Sequence, residues 1–570
     1  DLSKSGDQPM VSNNKRYIIS YNGEIYNYLD LKKKLVKKGF TFKSRTDTEV
    51  ILNSFIEFGP SCVNTFNGMF AYVIWDRQKK ELHLARDRYG IKPLYYGFFG
   101  NNFIFASEQK ALAQHPDFKK EINKKSLLEY FTFQNILTDN MLLSNVKIIE
   151  PGKIGKIEYR NNKKLVLTQY WDFNFKEPQN IKDHKSYEIE LNRLIKKAVK
   201  NQLISDVELG AFLSGGIDSS IITSIASKKI PNLKTFTCGF DLSSASGIEL
   251  NFDERQKAEA LSNIYKTVHN EMVLKSGDME KCLDKLSYHL EEPRVGQSYP
   301  NYYISKLASD FVKVTLSGIG GDELFGGYPW RYYKTASSNS FEDFIDKYYL
   351  YWQRLLDNSE IKKVFSPIWN DVKDVWTRDI FRDVFKNYEK DINRPEDYIN
   401  YSLYFEAKTF LHGLFIVEDK LSMANSLEVR VPFMDNDLVE FAMQCPVSLK
   451  LNKISENIRI NENIHLNKQQ LYFLKTNDGK QILRKIAKKH IPNGTAEYQK
   501  QGFSSPDSSW FKGESLNFVK NTILQKNSKI YDFFDFKSIH KLVNSHLDGK
   551  KNRRLLIWSL LNFESILNQE

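Results

Sequence analysis

The sequence predicts an α+β domain followed by an α/β domain. With 570 residues the chain is too long for a single hydrophobic core. Up to about residue 100, short strand-like runs are mixed with two helix-like segments, a pattern typical of layered α+β packing. Beyond about residue 185, apolar strands alternate with helix-like runs, which predicts a parallel sheet, and the chain becomes mostly helical from about residue 340.

The N-terminal strands are apolar or alternating runs bounded by Gly, Asn or Asp. They are expected at Tyr17–Tyr21, Met69–Trp75, Glu81–Arg86, Leu94–Phe99 and Phe103–Ala106. Helices are expected at Leu29–Lys38 and Thr48–Phe58, and Asp47 stands where it can cap or precede the second helix. The composition of residues 151–185 turns polar, which indicates crossing β structure and a linker.

Three apolar runs predict the parallel sheet of the second domain: Leu209–Leu213, Thr235–Phe240 and Val312–Leu316. Each is followed by a glycine or polar turn. Ligands bind at the carboxyl ends of the strands in such sheets, so the chemistry is expected there.

The bulk composition favours a globular, cytoplasmic protein. The formal charge of +12 lies partly in runs of lysine such as Lys32–Lys34, which are typical of the solvent-exposed face of a helix. No nucleic-acid partner is therefore expected. The longest clear apolar run, Gly68–Trp75, is only strand-sized, so no membrane span is expected.

The cysteines are far apart and form no CxxC pair, which fits a reducing compartment: Cys62, Cys238, Cys282 and Cys445. Because the first residue is Asp1 and not Met, an N-terminally partial chain is expected.

The segment Leu209–Ile222 has the pattern of an anion cradle. Its strand leads into Ser214-Gly215-Gly216, and Asp218, Ser219 and Ser220 then open a helix-like run. Glycines let backbone N–H groups approach an oxyanion closely, and a helix N-terminus adds favourable partial charge. No Lys-Ser/Thr pair follows the glycines, so this is not a Walker A loop. The alternative is a glycine turn that serves packing alone.

A second glycine loop, Leu316–Tyr328, follows another strand and carries Asp322 and Glu323. A pyrophosphate leaving group calls for Mg²⁺, and this hard cation prefers carboxylate oxygens. Asp218 and Asp322 are therefore predicted to share a Mg²⁺ ion. The alternative is that Asp322 and Glu323 only open a helix, where acids suit the helix dipole.

An ordered set of motifs resembles the glutamine-hydrolysing asparagine synthetases of the B type, from end to end of the chain. The glycine loop resembles the PP-loop of N-type ATP pyrophosphatases, and the other motifs are Asn22–Asn27, Arg86–Tyr96, Phe105–Glu108, Glu428–Asp435 and the closing helix Leu556–Phe563. The resemblance implies a class II glutamine amidotransferase domain at 1–150, an incomplete Ntn-hydrolase αββα sandwich. A linker at 151–185 and a PP-loop ATP-binding synthetase domain at 186–570 would follow.

The activity implied by this resemblance is an ATP-dependent amidotransferase reaction. Aspartate would become β-aspartyl-AMP with release of pyrophosphate, and ammonia from glutamine would arrive through an internal tunnel and displace AMP. The implied cofactors are ATP and Mg²⁺, the implied substrates are glutamine, ATP and aspartate, and the resemblance allows a homodimer.

In the amidotransferase half, the resemblance assigns the oxyanion hole to the side-chain amide of Asn22 and the backbone N–H of Gly23. Glu24 and Asp47 would bind the α-amino end of glutamine, although Asp47 could equally be a helix cap. The family's nucleophile is an N-terminal cysteine, which this sequence lacks. Cys62 cannot replace it because Cys62 has no free α-amine, so the chain as given is not expected to hydrolyse glutamine.

In the synthetase half, the resemblance assigns ATP binding to Leu213, Ser214, Gly215, Gly216, Asp218, Ser219, Cys238, Ser317 and Gly318. Cys238 would contact the adenine, although an ordinary buried strand residue fits its neighbours as well. Lys500 would neutralise phosphate charge during adenylation.

One departure from the family pattern concerns the acceptor. Ile319 stands where asparagine synthetases commonly carry Glu or Asp. The lost charge could position the ammonium group of aspartate, so an acceptor other than aspartate, such as a sugar uronic acid, is the alternative substrate. A non-catalytic nucleotide-binding relative is a further alternative, against which Ser214, Asp218, Asp322 and Lys500 speak.

Overall fold

The computed structural model describes residues 4–159, 164–181, 183–245, 249, 253–388, 392, 394–452, 478–491 and 505–569. Within these residues, 14 strands form three sheets of six, five and three strands. The helices cover most of the chain beyond the second glycine loop, as the sequence pattern predicts.

The N-terminal part contains two antiparallel sheets. In the six-stranded sheet the order is β1-β2-β3-β4-β8-β9, and in the three-stranded sheet it is β6-β5-β7. The strands are β1 Met10–Val11, β2 Tyr17–Ile25, β3 Gly68–Asp76, β4 Glu81–Arg86, β5 Tyr95–Phe99, β6 Asn102–Ala106, β7 Lys147–Ile148, β8 Lys153–Glu158 and β9 Leu165–Gln169.

These sheets lie between two helical layers. One face of β3 packs through Phe70 and Tyr72 against helices Tyr28–Lys37 (α1) and Asp47–Phe58 (α2). Its other face packs against residues of β5 and β6, and the far face of that small sheet meets Leu112. This order of layers is the αββα sandwich that the resemblance implies.

Part of the predicted linker belongs to this sandwich. Strand β8 pairs antiparallel with β4, and β9 pairs with β8, so both extend the six-stranded sheet. The first regular element after β9 is the helix that begins at His184.

The second part is built on an all-parallel sheet of order β12-β11-β10-β13-β14. Its strands are β10 Leu209–Phe212, β11 Lys234–Phe240, β12 Val268–Leu274, β13 Val314–Leu316 and β14 Glu428–Arg430. The three strands expected from the sequence are present, and β12 and β14 add its two edges. Because the strands are parallel, their carboxyl ends meet at one edge of the sheet.

Helices cover both faces of this sheet and form the C-terminal bundle. After α1 and α2 they are α3 Gln109–Leu112, α4 Lys124–Phe133, α5 His184–Gln202, α6 Ile217–Ser227, α7 Arg255–Tyr265, α8 Asp278–Leu290, α9 Tyr299–Ser309, α10 Gly321–Phe325, α11 Pro329–Ala336, α12 Phe341–Trp352, α13 Asn358–Val364, α14 Trp369–Val372, α15 Thr377–Asp383, α16 Pro395–Phe405, α17 Leu411–Met423, α18 Asn436–Met443, α19 Val447–Lys450, α20 Gln481–Ala487, α21 Asp507–Trp510, α22 Leu516–Ile523, α23 Phe536–Leu547 and α24 Arg554–Asn568.

Short 3₁₀ turns and one π turn complete the described elements. The 3₁₀ turns are Lys4–Gly6, Gly59–Thr65, Ser366–Ile368, Pro432–Met434 and Lys529–Asp532. The π turn, Glu406–Phe410, joins α16 to α17. Within the described ranges, no helix combines the length and apolar character that crossing a membrane requires.

Candidate active sites

The first glycine loop joins β10 to α6 at the carboxyl edge of the parallel sheet. Gly215 has a φ of +75°, a left-handed conformation that side chains other than glycine rarely adopt. The backbone N–H of Ser214 donates to Ser219 Oγ at 3.2 Å, and the N–H of Gly216 donates to Ser214 Oγ at 3.3 Å. The loop is therefore held by its own serines, with the N-terminus of the 11-residue helix α6 behind it.

The second glycine loop lies directly against the first. A Cβ atom at Gly318 would approach the backbone N of Ser219 to 2.9 Å, and one at Gly321 would approach Asp218 Oδ1 to 2.6 Å. Both positions therefore require glycine because the two loops are in contact. The structure brings Ser317 and Gly318 beside the predicted phosphate loop.

Lys480 joins the two acids for which the sequence predicts a shared metal. Its ammonium lies 2.6 Å from Asp322 Oδ1 and also contacts the Asp218 carboxylate. All three side chains are largely buried. Burial alone would lower the pKa of Lys480, but the carboxylates of Asp218 and Asp322 outweigh it, and the pKa is raised. Lys480 is therefore a protonated cation between two carboxylates.

Lys480 was not found by the sequence reasoning. It stands just before α20, and its position 262 residues after Asp218 leaves no local pattern that links the two. Lys500, the lysine that the resemblance does select, lies outside the described residues. No group of three or more His, Cys, Asp or Glu side chains suited to a metal occurs within the described ranges.

A cavity of about 450 Å³ opens beside these loops. Leu213 and Cys238 line it on the side of the sheet, and burial raises the pKa of the Cys238 thiol. A neutral, largely buried thiol suits an apolar wall. The cavity also contains Ile319, at the position where the family commonly has an acid.

Other parts of the cavity wall carry aromatic and basic side chains. They are Tyr328, Trp330, Arg331, Arg354, Phe410, Arg484 and Arg554, and the aliphatic Leu555 lines the cavity with them. The Arg331 guanidinium lies 3.9 Å from the centroid of the Tyr328 ring. Arg331 also lies 3.4 Å from a carboxylate oxygen of Glu406, which is buried in the π turn. This wall offers positive charge to an anionic acceptor.

In the N-terminal part, Asn22 and Gly23 lie on β2. Gly23 has a φ of +148°, and a Cβ atom there would come within 2.1 Å of the Met69 carbonyl oxygen, so only glycine fits. The Asn22 side-chain amide donates to Ser107 Oγ at 3.2 Å. The side-chain amide and the neighbouring glycine predicted as oxyanion donors are thus adjacent and locally constrained.

Glu24 and Asp47 form a partly buried acidic pair, and Arg430 lies near Glu24. Asp47 accepts hydrogen bonds from Tyr21 OH at 2.6 Å and from the Ile25 N–H at 2.9 Å. Thr46, and not Asp47, is the N-cap of α2. Burial raises the pKa of Glu24 to about 8; the Asp47 charge adds to this increase, and Arg430 opposes it from 3.6 Å.

Arg430 connects this acidic pair with the parallel sheet. It is the last residue of β14, and its backbone carbonyl accepts a hydrogen bond from the Ser317 N–H at 2.8 Å. Its side chain also donates to Glu428 Oε1 at 2.7 Å and to the Gln202 carbonyl at 2.9 Å. A single buried residue thus contacts both predicted sites.

Cys62 lies apart from both sites. It is fully buried in the core between the six-stranded sheet and its helices. Burial raises the pKa of its thiol to about 12, with Sγ 3.8 Å from Tyr72 OH. A protonated thiol in an apolar core is structural.

Comparison with known proteins divides the chain in the same way. Residues 190–568 match the asparagine synthase family, and residues 1–171 match the glutamine amidotransferase domain. Glutamine-hydrolyzing asparagine synthetase 1 of Bacillus subtilis is 32% identical across 98% of this chain and 87% of the relative. Synthetase 3 of the same organism is 30% identical across 95% of this chain and 84% of the relative. A putative synthetase of Methanocaldococcus jannaschii is 37% identical across 58% of this chain and 65% of the relative.

Proposed function

Because the chain belongs to the asparagine synthetase family, we propose that it is an ATP-dependent ligase that converts aspartate to asparagine. Ammonia supplies the nitrogen, which the relatives named glutamine-hydrolyzing take from glutamine, and AMP and pyrophosphate are released. The observation that carries this proposal is the contact between the two glycine loops, with the Lys480 ammonium between Asp218 and Asp322 beside the cavity.

These groups suit the pyrophosphate end of ATP. The backbone N–H groups of the first loop and the N-terminus of α6 favour phosphate oxygens. In the adenylation step, an aspartate carboxylate oxygen attacks the α-phosphorus, and the bond to the pyrophosphate oxygen breaks. Lys480 is placed to neutralise the charge that develops on the leaving group.

Mg²⁺ is part of this proposal. Asp218 and Asp322 point at one spot and supply the carboxylate oxygens that Mg²⁺ prefers, and one or two carboxylates suffice when phosphates complete the shell. These two residues would hold the ion, which would neutralise pyrophosphate charge. Lys480 already occupies the spot between them, so binding of Mg-ATP requires its ammonium to shift from the carboxylates to the phosphates.

The N-terminal site is proposed to bind glutamine. Asn22 and Gly23 would donate to the oxyanion, and the Glu24–Asp47 pair would receive the α-ammonium group. A cationic ligand there would favour the ionised form of both partly buried carboxyl groups.

A second candidate acceptor rests on Ile319 and on the basic wall of the cavity. Without an acid at position 319, the cavity lacks one partner for the ammonium group of aspartate, whereas its arginines suit any carboxylate. Amidation of another small carboxylate, such as a sugar uronic acid, is therefore the alternative reaction.

The test is pyrophosphate release from Mg-ATP with ammonium chloride and aspartate, with asparagine followed by chromatography. Ammonium makes the outcome independent of the glutamine site. We expect asparagine and pyrophosphate in equal amounts. Pyrophosphate release that does not depend on aspartate, followed by release in a screen of other carboxylates, would replace aspartate with the alternative acceptor. ATP binding without any release would favour a non-catalytic relative.

A further inference from the structure

Helix α17 forms a wall of the synthetase cavity. Leu414, Val417 and Glu418 line the cavity, and Phe410 of the preceding π turn continues the same wall. Glu418 is only 6% exposed. A carboxylate is thus held inside a cavity that also contains both glycine loops.

The same helix contacts the N-terminal domain. Asp419, the neighbour of Glu418, forms an ion pair with Lys92, whose Nζ lies 2.7 Å from Asp419 Oδ1. His412 Nε2 lies 3.1 Å from Arg86 Nη2, and Ile416 is buried in a cluster with Tyr95. Helix α17 therefore separates the amidotransferase domain from the cavity, and Glu418 lies on the cavity side.

Glu418 is less constrained than Asp218 and Asp322. Within the part of the chain that the structure describes, its one hydrogen bond comes from Asn301 Nδ2 to Oε2 at 2.8 Å. Asp218 and Asp322 share the Lys480 ammonium. Burial raises the pKa of Glu418 to about 7; the hydrogen bond from Asn301 opposes this increase and the Asp419 charge adds to it. A base works best when its pKa is near the working pH.

Resting on the function proposed above, we propose that Glu418 is the proton acceptor of the amidation step. The ammonia lone pair attacks the acyl carbon of aspartyl-AMP, which forms the C–N bond and leaves a positively charged nitrogen. The Glu418 carboxylate takes one proton from this nitrogen. The C–O bond to AMP then breaks, its electron pair leaves on the AMP phosphate oxygen, and the products are the amide, AMP and protonated Glu418.

Position 319 supplies no acid to this cavity. Ile319 lines the same cavity at the position where the family commonly carries Glu or Asp. An aliphatic side chain can accept no proton, whereas Glu418 supplies a carboxylate from α17.

The experiment compares two reactions of Glu418→Gln in the same sample. Aspartate-dependent exchange of pyrophosphate into ATP reports adenylation and needs no ammonia. Asparagine formation with ammonium chloride reports both steps. We expect asparagine formation to fall about 100-fold, the scale of general base catalysis, while exchange stays within about twofold of wild type. Their ratio does not depend on the folded fraction.

The matched control is Glu406→Gln. Glu406 is also a buried glutamate, and burial raises its pKa to about 7, but it is bound to Arg331, Tyr332 and Tyr348 and is not part of the cavity wall. Its substitution is expected to change both reactions by the same factor. The proposal would be overturned if Glu418→Gln lowered pyrophosphate exchange and asparagine formation by the same factor, or if it lowered neither.

A second variant, Glu418→Ala, keeps the proposal testable if the Glu418→Gln protein does not fold. In Glu418→Ala, added formate can occupy the vacated space and accept the proton. We expect formate to restore asparagine formation at least about tenfold without changing exchange. No response to formate would contradict the role of Glu418. Absence of aspartate-dependent exchange in the wild type would instead refute the proposed function, and the proposal with it.

Discussion

Both predicted sites contain partly buried carboxylates around one buried cation, but at different distances. In the synthetase part, the Lys480 ammonium is 2.6 Å from Asp322 and also touches Asp218. In the amidotransferase part, Arg430 is 3.6 Å from Glu24 and is also bound to Glu428. The first cluster is closely paired, whereas in the second the pairing is looser and the raised pKa of Glu24 favours its protonated form.

This difference shows in the protonation of each cluster. The carboxylates raise the pKa of Lys480, so its cation is retained. The pKa of Glu24 is raised to about 8 by burial and by Asp47, despite Arg430. The amidotransferase cluster thus favours an added cation such as an α-ammonium group. The synthetase cluster already contains its cation, which under the proposed function would move to phosphate when ATP binds.

The largest effect is expected from Lys480→Met. The substitution removes the ammonium that contacts the largely buried Asp218 and Asp322 carboxylates, and with it the charge that is proposed to neutralise pyrophosphate. We expect pyrophosphate exchange to fall at least about 100-fold. The free energy of unfolding should fall by about 3–5 kcal/mol, as when a buried ion pair loses one partner. Exchange assays and urea denaturation measure the two effects.

Two further variants separate catalysis from stability. Lys485→Met is the matched control, because Lys485 lies on α20, the helix that follows Lys480, is about half exposed and pairs with Glu188 at 3.3 Å. It should change neither quantity appreciably. Adding Asp322→Asn to Lys480→Met removes one of the two carboxylates that Lys480 contacts and should recover part of the stability but none of the exchange. Recovery of exchange would contradict the role given to Lys480.

A smaller effect is expected from Gly321→Ala. The added Cβ would lie 2.6 Å from Asp218 Oδ1, so the carboxylate must turn away from Lys480. We expect about a tenfold loss of exchange, because reacting groups tolerate little misplacement. Gly513→Ala is the control, since its Cβ would meet nothing closer than 3.5 Å. Equal exchange rates in both variants would show that Asp218 need not keep this orientation.

How much could be predicted from the sequence depended on how local each feature is. The loop at Ser214–Gly216 is a strand, a turn and a helix start within one short segment, and its pattern was sufficient. Edge strand β14 is three residues long, which is too short to show the alternation of apolar and polar residues that predicts a strand. Lys480 and Arg430 act on residues hundreds of positions away, so only the folded chain brings them to Asp218 and Glu24. The αββα order came from the family resemblance, because strand runs do not specify how sheets stack.

The smallest effect is expected from Glu24→Gln, in the pH dependence of stability. Glu24 has a pKa of about 8 in the folded chain, against 4.5 as its ordinary value. Between these values the folded chain holds a proton that the unfolded chain has released, so raising the pH favours unfolding. The contribution of Glu24 is complete below pH 4.5 and is lost as the pH rises through 8. Glutamine at this position cannot titrate, so the variant should lose less stability over this range.

We expect the melting temperature of the wild type to fall between pH 5 and pH 8 by on the order of 2 °C more than that of Glu24→Gln, measured by calorimetry. Glu57→Gln is the control, because Glu57 pairs with Lys38 at 2.6 Å near the surface, and it should follow the wild type. Equal slopes for Glu24→Gln and wild type would mean that Glu24 is ionised in the folded chain. Arg430 would then compensate the amidotransferase cluster as fully as Lys480 compensates the synthetase cluster, and the contrast between the two sites would disappear.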